Sequence, residues 1–552
     1  MAFRMKKSKI GFNPIGGNAL LYLAYSIVVV MKGAERSRTE FCDWMELVKK
    51  YLKIVKFIGG QTVSNNDVPA YYPAYIAANN AVGTIPGGRR LPRGWTAVQL
   101  DRKDGLYLEW KDGVPSIDSR GAGGSRLRIA VALDYREAQR VEAYLGRSEE
   151  RIGSFDIRYA YTYQPFEIIL DDEQTRAAIR EGVTLRMEGD GQPLWIFDEL
   201  QGNESRKLFV PHLLIGGGER RMEQFLNSIA SLSSLQPFGW LEGCVLDGLY
   251  ALRPIVGASR IDPVIEAHLG QYLSADGQLL YEDLHGQAAD DALTTIEATL
   301  PLAIIAKFRP DHPVVKRAIS FWESRSEASG GAIVDGNSIT AEGMYTVAYP
   351  QAVIAAKLGR ADLAEQAIGQ ALLRRDTLAR GNHLFLRYNR MSDTHYFRSW
   401  SRAYAWYMLG MTRTWHELKH SEFGRLPGVG EMEQELKRIA DVAMHWVRPE
   451  GLWTAFLSEP ETAPETSGSV GIAAALALGA NYGLLGQHHY DAAAKTLEAI
   501  RPHLTPDGIL SGVTQHNAGG IELQTCGYRV LSQMGMGLLA QLYAAVQEHR
   551  SA

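Results

Sequence analysis

The stretch "SGGAIVDGNSITAEGMYTVAYPQAVIAAKLG", residues 329–359, contains the pattern that decides the fold. A glycine turn is followed by a short apolar patch and then by a longer run with the apolar spacing of a helix. The same order recurs in "SADGQLLYED", "ARGNHLFLRY", "RPEGLWTAFL" and "TPDGILSGV", and it gives turn glycines at Gly277, Gly331, Gly381, Gly451 and Gly508. Recurrence of this kind is typical of stacked helical hairpins.

From about residue 215 onward, the spacing of apolar residues predicts six helical hairpins. The first helices are expected near 218–233, 262–273, 311–327, 361–378, 429–448 and 489–503. The second helices are expected near 242–256, 290–308, 341–358, 399–418, 466–485 and 527–548. Six such hairpins can close into an (α/α)6 toroid whose inner ring consists of the second helices; an open solenoid is the alternative. Inner helices that run the same way place their N-termini, which favour anions, on one rim.

The chain is therefore expected to be mainly α, with three parts. Residues 1–95 are predicted to be an N-terminal helical segment, and residues 213–552 the (α/α)6 barrel. Between them, residues 96–212 are rich in short alternating runs such as "RLRIAVALD" and "FDIRYAYTY", which predict an antiparallel β-sandwich-like domain.

Composition excludes several classes of function. The 552 residues carry a net charge of −4, so nothing favours binding to nucleic acid or to an anionic membrane. The three cysteines, Cys42, Cys244 and Cys526, have no metal-ligand spacing, and no metal or cofactor is expected. The apolar run at 19–31 is too short to span a bilayer and lacks a signal-peptide cleavage site, which predicts a cytoplasmic protein. A homo-oligomer is left open.

Several polar and aromatic residues fall at the predicted starts of inner helices. They are Asp290 and Asp291 on the second inner helix, Glu342 on the third, Trp400 and Arg402 on the fourth, and Glu465 on the fifth. Acidic residues at helix N-termini often only cap the helix. Their concentration on one rim, beside an aromatic ring and a guanidinium group, favours a carbohydrate site.

A basic and aromatic loop precedes the fourth inner helix. Arg387 and Tyr388 lie in it, and the guanidinium fork of Arg387 or of Arg402 is suited to clamp a carboxylate. Trp400 offers a face for a sugar ring. The expected partner is therefore an acidic oligosaccharide, although the same arginines could pair with carboxylates of the protein itself.

Four segments in order resemble the unsaturated uronyl hydrolases, the bacterial unsaturated rhamnogalacturonyl and glucuronyl hydrolases. They are "ADDALTTIEATLPLAII", "ASGGAIVDGNSITAEGMYTVAYPQAVIAAKLG", "WSRAYAW" and "PETSGSVGIAAALALGANYG", and the resemblance covers about 330 residues. It implies the toroid and a reaction without metal. Family enzymes protonate the double bond of a terminal 4,5-unsaturated uronic acid, water adds next to it, and the sugar is released.

The resemblance also assigns roles to residues. Asp291 matches the first active-site acid, with Asp290 as a one-residue alternative. Gly343 stands where the family has the second acid, and the neighbouring Glu342 is the substitute. Trp400 and Arg402 match the family pattern, and Arg387 takes the position of the family's active-site histidine. The residues expected to bind the substrate are therefore Trp400, Arg402, Arg387, Tyr388, Asp290 and Glu465.

The leading hypothesis is an exo-acting glycoside hydrolase that releases a terminal uronic acid, either unsaturated uronyl or saturated β-glucuronyl, with Asp291 and Glu342 as the acid–base pair. Because α/α toroids carry several chemistries, a polysaccharide lyase or a sugar epimerase is an alternative. A lyase would create double-bond absorbance instead of consuming it. Gly343 supports a third hypothesis, a carbohydrate-binding protein without catalysis, which would bind ligand without turnover.

Overall fold

Strands dominate the first part of the computed structural model, which describes residues 68–77, 85–100, 102, 105–110, 124–198, 208–283 and 285–551. In chain order the elements are β1 (Ala70–Pro73), β2 (Tyr75–Ile76), β3 (Ala97–Leu100), β4 (Leu106–Glu109), β5 (Ser125–Ala130), β6 (Tyr135–Leu145), β7 (Arg151–Ala160), β8 (Pro165–Leu170), helix α1 (Asp172–Glu181), β9 (Val183–Met187), β10 (Leu194–Phe197) and β11 (His212–Ile215). The described residues from 68 to 215 are called the β-region below.

The β-region contains two larger antiparallel sheets, as the alternating sequence predicts. One has the strand order β1-β11-β5-β8 and the other β2-β4-β9-β6-β7, while β3 pairs with β10. In β9 the buried side chains alternate with the more exposed ones, and the buried ones join a common core. Helix α1 begins at a capping box formed by Asp171 and Gln174.

The predicted boundary at residues 95/96 is wrong for the strands that precede it. β1 pairs antiparallel with β11 from Ala70↔Ile215 to Pro73↔His212, so the sheets begin within the segment that was expected to be helical. The short run "AYYPAYI" carries little strand signal of its own, because its partner lies about 140 residues later in the chain. The rest of that expectation, residues 1–67, lies outside the described residues.

Helices follow. They are α2 (Arg221–Ile229), α3 (Trp240–Val256), α4 (Ala258–Leu269), α5 (Pro301–Phe308), α6 (Pro313–Ala328), α7 (Tyr349–Leu358), α8 (Ala361–Leu378), α9 (Ser401–Lys419), α10 (Val429–His445), α11 (Thr466–Asn481), α12 (Gln487–Ala499), α13 (Gly520–Thr525) and α14 (Gln533–Ser551). Apart from the short α13, they correspond one by one to the twelve helices expected from the sequence. The described residues are thus mainly helical, with antiparallel sheets in addition.

The second helices of the hairpins contact one another in a cycle. Each contacts the next in chain order, and the last contacts the first, in the order α3, α5, α7, α9, α11, α14. The first helices, α2, α4, α6, α8, α10 and α12, pack against them from one side. Residues with no side chain or a small one allow the closest approach: a Cβ at Gly248 of α3 would lie 2.4 Å from the carbonyl oxygen of Gly537 in α14.

Short strands connect the helices at one end of these hairpins. They are β12 (Leu280–Glu282), β13 (Ala288–Asp290), β14 (Ser338–Thr340), β15 (Ala379–Arg380), β16 (His383–Asn389), β17 (Thr394–Arg398), β18 (Leu510–Val513) and β19 (Val530–Ser532). All five turn glycines that the sequence singled out have positive φ, which confirms the turn prediction. At Gly508 a side chain is also excluded by space, because its Cβ would lie 2.1 Å from the amide nitrogen of Phe225.

A buried ion pair joins the β-region to the helices. Arg128 of β5 donates to Asp507 from Nη1 at 2.5 Å and from Nη2 at 3.0 Å, and both side chains are almost completely buried. The hydroxyl of Tyr71 donates to the same carboxylate at 2.6 Å. These contacts fix β1 and β5 to the loop that precedes β18, so the β-region and the helical hairpins form one unit.

No helix within the described ranges is long and apolar enough to cross a membrane. The apolar run at 19–31 lies outside those ranges.

Candidate active site

Two glutamates stand just before α5 and α7, which are consecutive in the cycle of helix contacts. Glu297 lies in the 3-10 turn Ile296–Thr299, directly before Pro301 opens α5. Glu342 precedes the π turn Met344–Ala348, which leads into α7. Both side chains are half-buried, and neighbouring charged groups shift the pKa of each. The rim of the inner helices therefore holds a pair of carboxyl groups within electrostatic range.

The surroundings raise the pKa of both carboxyl groups. Burial, together with the carboxylates of Glu342 and Asp335, raises the pKa of Glu297 to about 8, even though Arg387 and Arg136 act in the opposite direction. Burial also raises the pKa of Glu342, while Arg387 and Arg402 partly offset it. Two neighbouring carboxyl groups resist simultaneous ionisation. Glu297, whose pKa is raised to about 8, therefore keeps its proton at neutral pH.

Arg387 and Asn517 complete the polar surface next to the pair. Arg387, on β16, donates from Nη2 to Asn517 Oδ1 at 2.8 Å, and Asn517 donates from Nδ2 to Glu342 Oε1 at 3.2 Å. The guanidinium group of Arg387 also lies 5.7 Å from the ring centre of Phe397. Arg387 is half-buried, so it presents a positive charge beside the glutamates without forming an ion pair with either of them at short range.

The glycine at 343 is explained by a buried arginine. A Cβ at residue 343 would lie 2.2 Å from Nη2 of Arg374, so no side chain fits there without displacing that guanidinium group. Arg374 is fully buried and donates to the carbonyl oxygens of Ile333 at 2.8 Å and Thr340 at 3.2 Å. The acid of this segment is therefore Glu342, one residue earlier.

The β-region contributes to the same rim. Arg136 of β6 lies close enough to Glu297 to lower its pKa, and its guanidinium group stacks 5.1 Å from the ring centre of Tyr161. Tyr161 also contacts His516 edge-on, with ring centres 5.2 Å apart. Burial and Arg136 lower the pKa of His516 to about 3, so this imidazole stays neutral and is no proton donor at neutral pH. The glutamate pair is thus bordered by groups from both parts of the chain.

Asp291 and Asp290 do not belong to this group of residues. Asp291 Oδ1 accepts the amide of Leu279 at 2.9 Å and lies 3.0 Å from Arg317, in an exposed position. Asp290 ends β13 and pairs with Arg90. Both belong to the β12–β13 hairpin instead of a helix start, since the inner helix begins only at Pro301. The expected pairing of Asp291 with Glu342 is therefore corrected: Glu297 is the acid that interacts with Glu342.

This arrangement has a counterpart among known proteins. Residues 219–543, more than half of the chain, match the family model described as Glycosyl Hydrolase Family 88. The chain belongs to Glycosyl Hydrolase Family 88. The match confirms the resemblance found in the sequence, and the protein is a glycoside hydrolase. The β-region lies outside the matched residues. No curated protein matches the chain.

Solved structures of glycoside hydrolases resemble this family 88 chain over somewhat more than half of its length. A glycoside hydrolase of family 105 from C. acetobutylicum has a TM-score of 0.50 at 15% identity, over 60% of this chain and 100% of that chain. A glycosyl hydrolase of family 88 from Bacteroides vulgatus has a TM-score of 0.46 at 15% identity, over 60% and 99%. The unsaturated glucuronyl hydrolase of Bacillus sp. GL1 has a TM-score of 0.42 at 16% identity, over 57% and 87%. The first likeness shows a shared fold.

Two expected ligand-binding residues of this family 88 protein are buried instead. Trp400 is only 1% exposed, so the prediction that its ring stacks on a sugar is wrong. Arg402 is 3% exposed, stacks on Trp400, and donates to the backbone oxygens of Thr514 and Gln515, each at 2.8 Å. Its donors are thus used to hold the loop that carries Asn517, which makes Arg402 a positioning residue and not a carboxylate clamp.

Replacing Arg402 by alanine is expected to lower the free energy of unfolding by about 2–3 kcal/mol, because buried hydrogen bonds from a charged group are lost. The change is measured by urea unfolding, with Arg398→Ala, an exposed arginine on β17, as the control that stays near zero. A direct substrate clamp would give the opposite pattern, with unchanged stability and a raised KM.

Glu465 and Tyr388 also have partners within the protein. Glu465 is fully buried and caps α11: its carboxylate accepts the amides of Ser467 and Gly468 and, from across the rim, that of Thr514 at 3.1 Å. The Tyr388 hydroxyl donates to Asp393 at 2.8 Å, next to it on the hairpin. The prediction that Glu465 binds substrate is wrong, since no surface of this residue is accessible. For Tyr388 a binding role has no support from its contacts.

Glu297, Asn517 and Arg136 were not among the residues predicted from the sequence. Only Glu297 carried a signal: Pro301 favours the first turn of a helix, and Glu297 lies four residues before it, closer to the helix start than Asp291. Among the described residues, one group could hold a metal ion, Asp441 with His488 and His489, but it lies on the outer helices α10 and α12 and not on this rim.

Proposed function

We propose that this family 88 hydrolase acts at the chain end of acidic oligosaccharides and releases a terminal uronic acid. The observation that carries the proposal is the pair of neighbouring carboxyl groups Glu297 and Glu342, with Glu297 protonated at neutral pH and the Arg387 charge beside them. A protonated and an ionised carboxyl group in one site supply a general acid and a general base. The arginine suits a substrate with a carboxylate.

We also propose that the six hairpins close into an (α/α)6 toroid. The cyclic order of contacts among α3, α5, α7, α9, α11 and α14 supports closure, because an open solenoid would leave α14 without contact to α3. In a closed ring the starts of α5 and α7 share one rim. Glu297 and Glu342 then reach the same side of the ring.

For an unsaturated uronic acid, the pair can perform the reaction without an added group. Glu297 donates its proton to C4 of the C4–C5 double bond, and Glu342 accepts a proton from the water whose oxygen bonds to C5. The product is a hemiketal, which opens and releases the remaining saccharide. One proton leaves the pair and one returns to it, so the charge of the site is restored after each turnover.

Arg387 is assigned to the uronic acid carboxylate. Its Nη2 contact with Asn517 at 2.8 Å orients the guanidinium group, and Asn517 in turn contacts Glu342 at 3.2 Å. The guanidinium group of Arg387, the side-chain amide of Asn517 and the carboxyl group of Glu342 are therefore held in a fixed relation to one another. This supports recognition of a terminal uronic acid by Arg387.

The proposal is tested with two substrate classes in parallel. Oligosaccharides produced by a polysaccharide lyase carry the unsaturated end, and their hydrolysis is followed by the loss of double-bond absorbance. A chromogenic β-glucuronide tests the saturated alternative, which would require ordinary glycoside hydrolysis by the same two carboxyl groups. Lack of activity on both classes rejects the proposal, and absorbance that rises with time identifies a lyase instead.

The pH dependence follows from the two raised pKa values. Because Glu297 must be protonated, kcat/KM is expected to fall as the pH rises above about 8. Because Glu342 must be ionised, kcat/KM also falls on the acid side, at a pH above the ordinary range of a glutamate. The profile of kcat/KM against pH measures both limbs. An alkaline limb far below neutrality would contradict Glu297 as the acid.

A further inference from the structure

A cavity of about 280 Å³ lies between the β-region and the helical hairpins. Its wall includes Asp134 and Tyr161 of the β-region and Phe238, Tyr272 and Leu280 of the helical part. Its volume is close to the lower end of small-molecule sites. The β-region part of this wall lies outside the residues that match the family.

Tyr161 connects the cavity to the glutamate pair. Its ring contacts Arg136, which acts on Glu297, and His516, whose neighbour Asn517 contacts Glu342. Arg136 is also bound to the cavity residue Asp134, Nε to Oδ2, at 2.7 Å. Tyr161 therefore both lines the cavity and contacts groups that interact with the two glutamates.

The cavity is matched to an uncharged ligand. Arg90 of the wall pairs with Asp290, Glu282 accepts two hydrogen bonds from Arg89, and Asp134 is paired with Arg136. The wall also contains one further arginine, Arg93, and one further carboxylate, Asp283, so its charges are nearly balanced. A second uronic acid would find no concentration of positive charge there. The aromatic rings instead offer flat apolar faces, which fit the C–H face of a sugar ring.

Two residues of this wall, Arg90 and Tyr161, have a buried polar atom without a hydrogen-bond partner among the described residues, and that of Tyr161 is a hydroxyl. The hydroxyl of Tyr161 is buried and has no hydrogen-bond partner among the described residues. A buried hydroxyl without a partner is costly, and a ligand hydroxyl would satisfy it. The neighbouring carboxylates of Asp134 and Asp283 supply acceptors for further hydroxyl groups at the cavity edge.

From these contacts we infer that the cavity binds a neutral sugar unit on the leaving side of the scissile bond, with Tyr161 donating a hydrogen bond to it. The inference rests on the proposed function, because it assumes that the uronic acid occupies the glutamate pair beside Arg387. The rest of the substrate then continues past Arg136 and Tyr161. The preferred substrate is a disaccharide or longer chain in which the uronic acid is linked to an uncharged sugar.

The test compares two substrates with the same unsaturated uronic acid: its disaccharide with rhamnose or glucose, and its methyl glycoside, which has no leaving sugar. The measured quantity is the ratio of their kcat/KM values. Tyr161→Phe is expected to lower this ratio about 3- to 10-fold, as for the loss of one hydrogen bond. Leu280→Trp, which fills the cavity, is expected to lower it at least about 10-fold, through steric exclusion of the sugar.

Tyr107→Phe is the matched control, because that hydroxyl also belongs to the β-region but donates to the carbonyl oxygen of Glu181. It should leave the ratio unchanged. Equal losses on both substrates in Tyr161→Phe and Leu280→Trp would overturn the inference, since they indicate a structural defect. The inference would also be overturned by a higher kcat/KM for a disaccharide of two uronic acids than for the disaccharide of a uronic acid and an uncharged sugar.

A binding measurement separates this inference from the proposed function. Calorimetry of the Glu297→Gln protein with the intact disaccharide of the uronic acid and an uncharged sugar does not depend on turnover. Adding Leu280→Trp should weaken this binding at least about 10-fold. Unchanged binding overturns the cavity as a sugar site even if the enzyme is active on uronides, whereas inactivity of the wild-type protein on all uronides rejects the proposed function alone.

Discussion

Replacing Glu297 by glutamine is expected to lower kcat by about 10²- to 10⁴-fold, the usual contribution of a general acid. Glutamine keeps the shape of the side chain but has no proton to give. The free energy of unfolding should change little because the side chain is half-buried. The rate is measured by absorbance with lyase-generated oligosaccharides.

Glu342→Gln is expected to be as inactive as Glu297→Gln, since base and acid act on the same turnover. The two losses should not add in the double variant, because residues that act as a unit are not additive. The decisive control is Asp291→Asn. Asp291 is bound to Arg317 in an exposed position and should keep wild-type activity. An inactive Asp291→Asn protein beside an active Glu297→Gln protein would restore the acid that was inferred from the sequence.

The helical hairpins could be predicted because their signals are local. Apolar spacing and turn glycines such as Gly331 and Gly451 act within one hairpin, and each hairpin repeats the pattern. The start of α5 could not be located as well. Asp291 has a positive φ of 55° and closes the β12–β13 hairpin, which looks like a helix N-terminus in sequence because both favour aspartate.

The burial of Trp400 and Arg402 could not be predicted from their own segment. Both lie in the first turn of an inner helix, as expected, but Arg402 is covered by residues 514 and 515, more than one hundred positions later. A guanidinium group looks the same in sequence whether it binds a ligand or a backbone carbonyl. The side chains that surround it decide between the two, and they come from another hairpin.

The β-region's contribution to the rim is the least predictable part of the site. Arg136 precedes Glu297 by about 160 residues, and no local pattern connects an arginine on a strand with an acid before a helix. Their proximity follows from the interface between the β-region and the hairpins. That interface is fixed by the buried pair Arg128 and Asp507, so the stability of this pair and the geometry of the site are coupled.

Asp507→Asn is expected to destabilise the protein by about 3–5 kcal/mol, because the buried Arg128 loses one of its two carboxylate partners and keeps only Glu167. Burial alone would raise the pKa of Asp507, but the charge and hydrogen bonds of Arg128 lower it well below its ordinary value. The stabilisation by the ionised carboxylate is present above the pKa of an unfolded aspartate and is lost as the pH falls toward the lower folded pKa. Urea unfolding at neutral pH and in acid measures this contribution.

Two comparisons show whether the loss comes from the unpaired charge. Asp190→Asn removes the partner of Arg102 in an exposed ion pair and should cost less than about 1 kcal/mol. Arg128→Met combined with Asp507→Leu removes both charges and should recover much of the stability lost in Asp507→Asn. If the double variant is as unstable as the single one, the cluster stabilises the interface through its hydrogen bonds to Tyr71 and Thr505 and not through charge compensation.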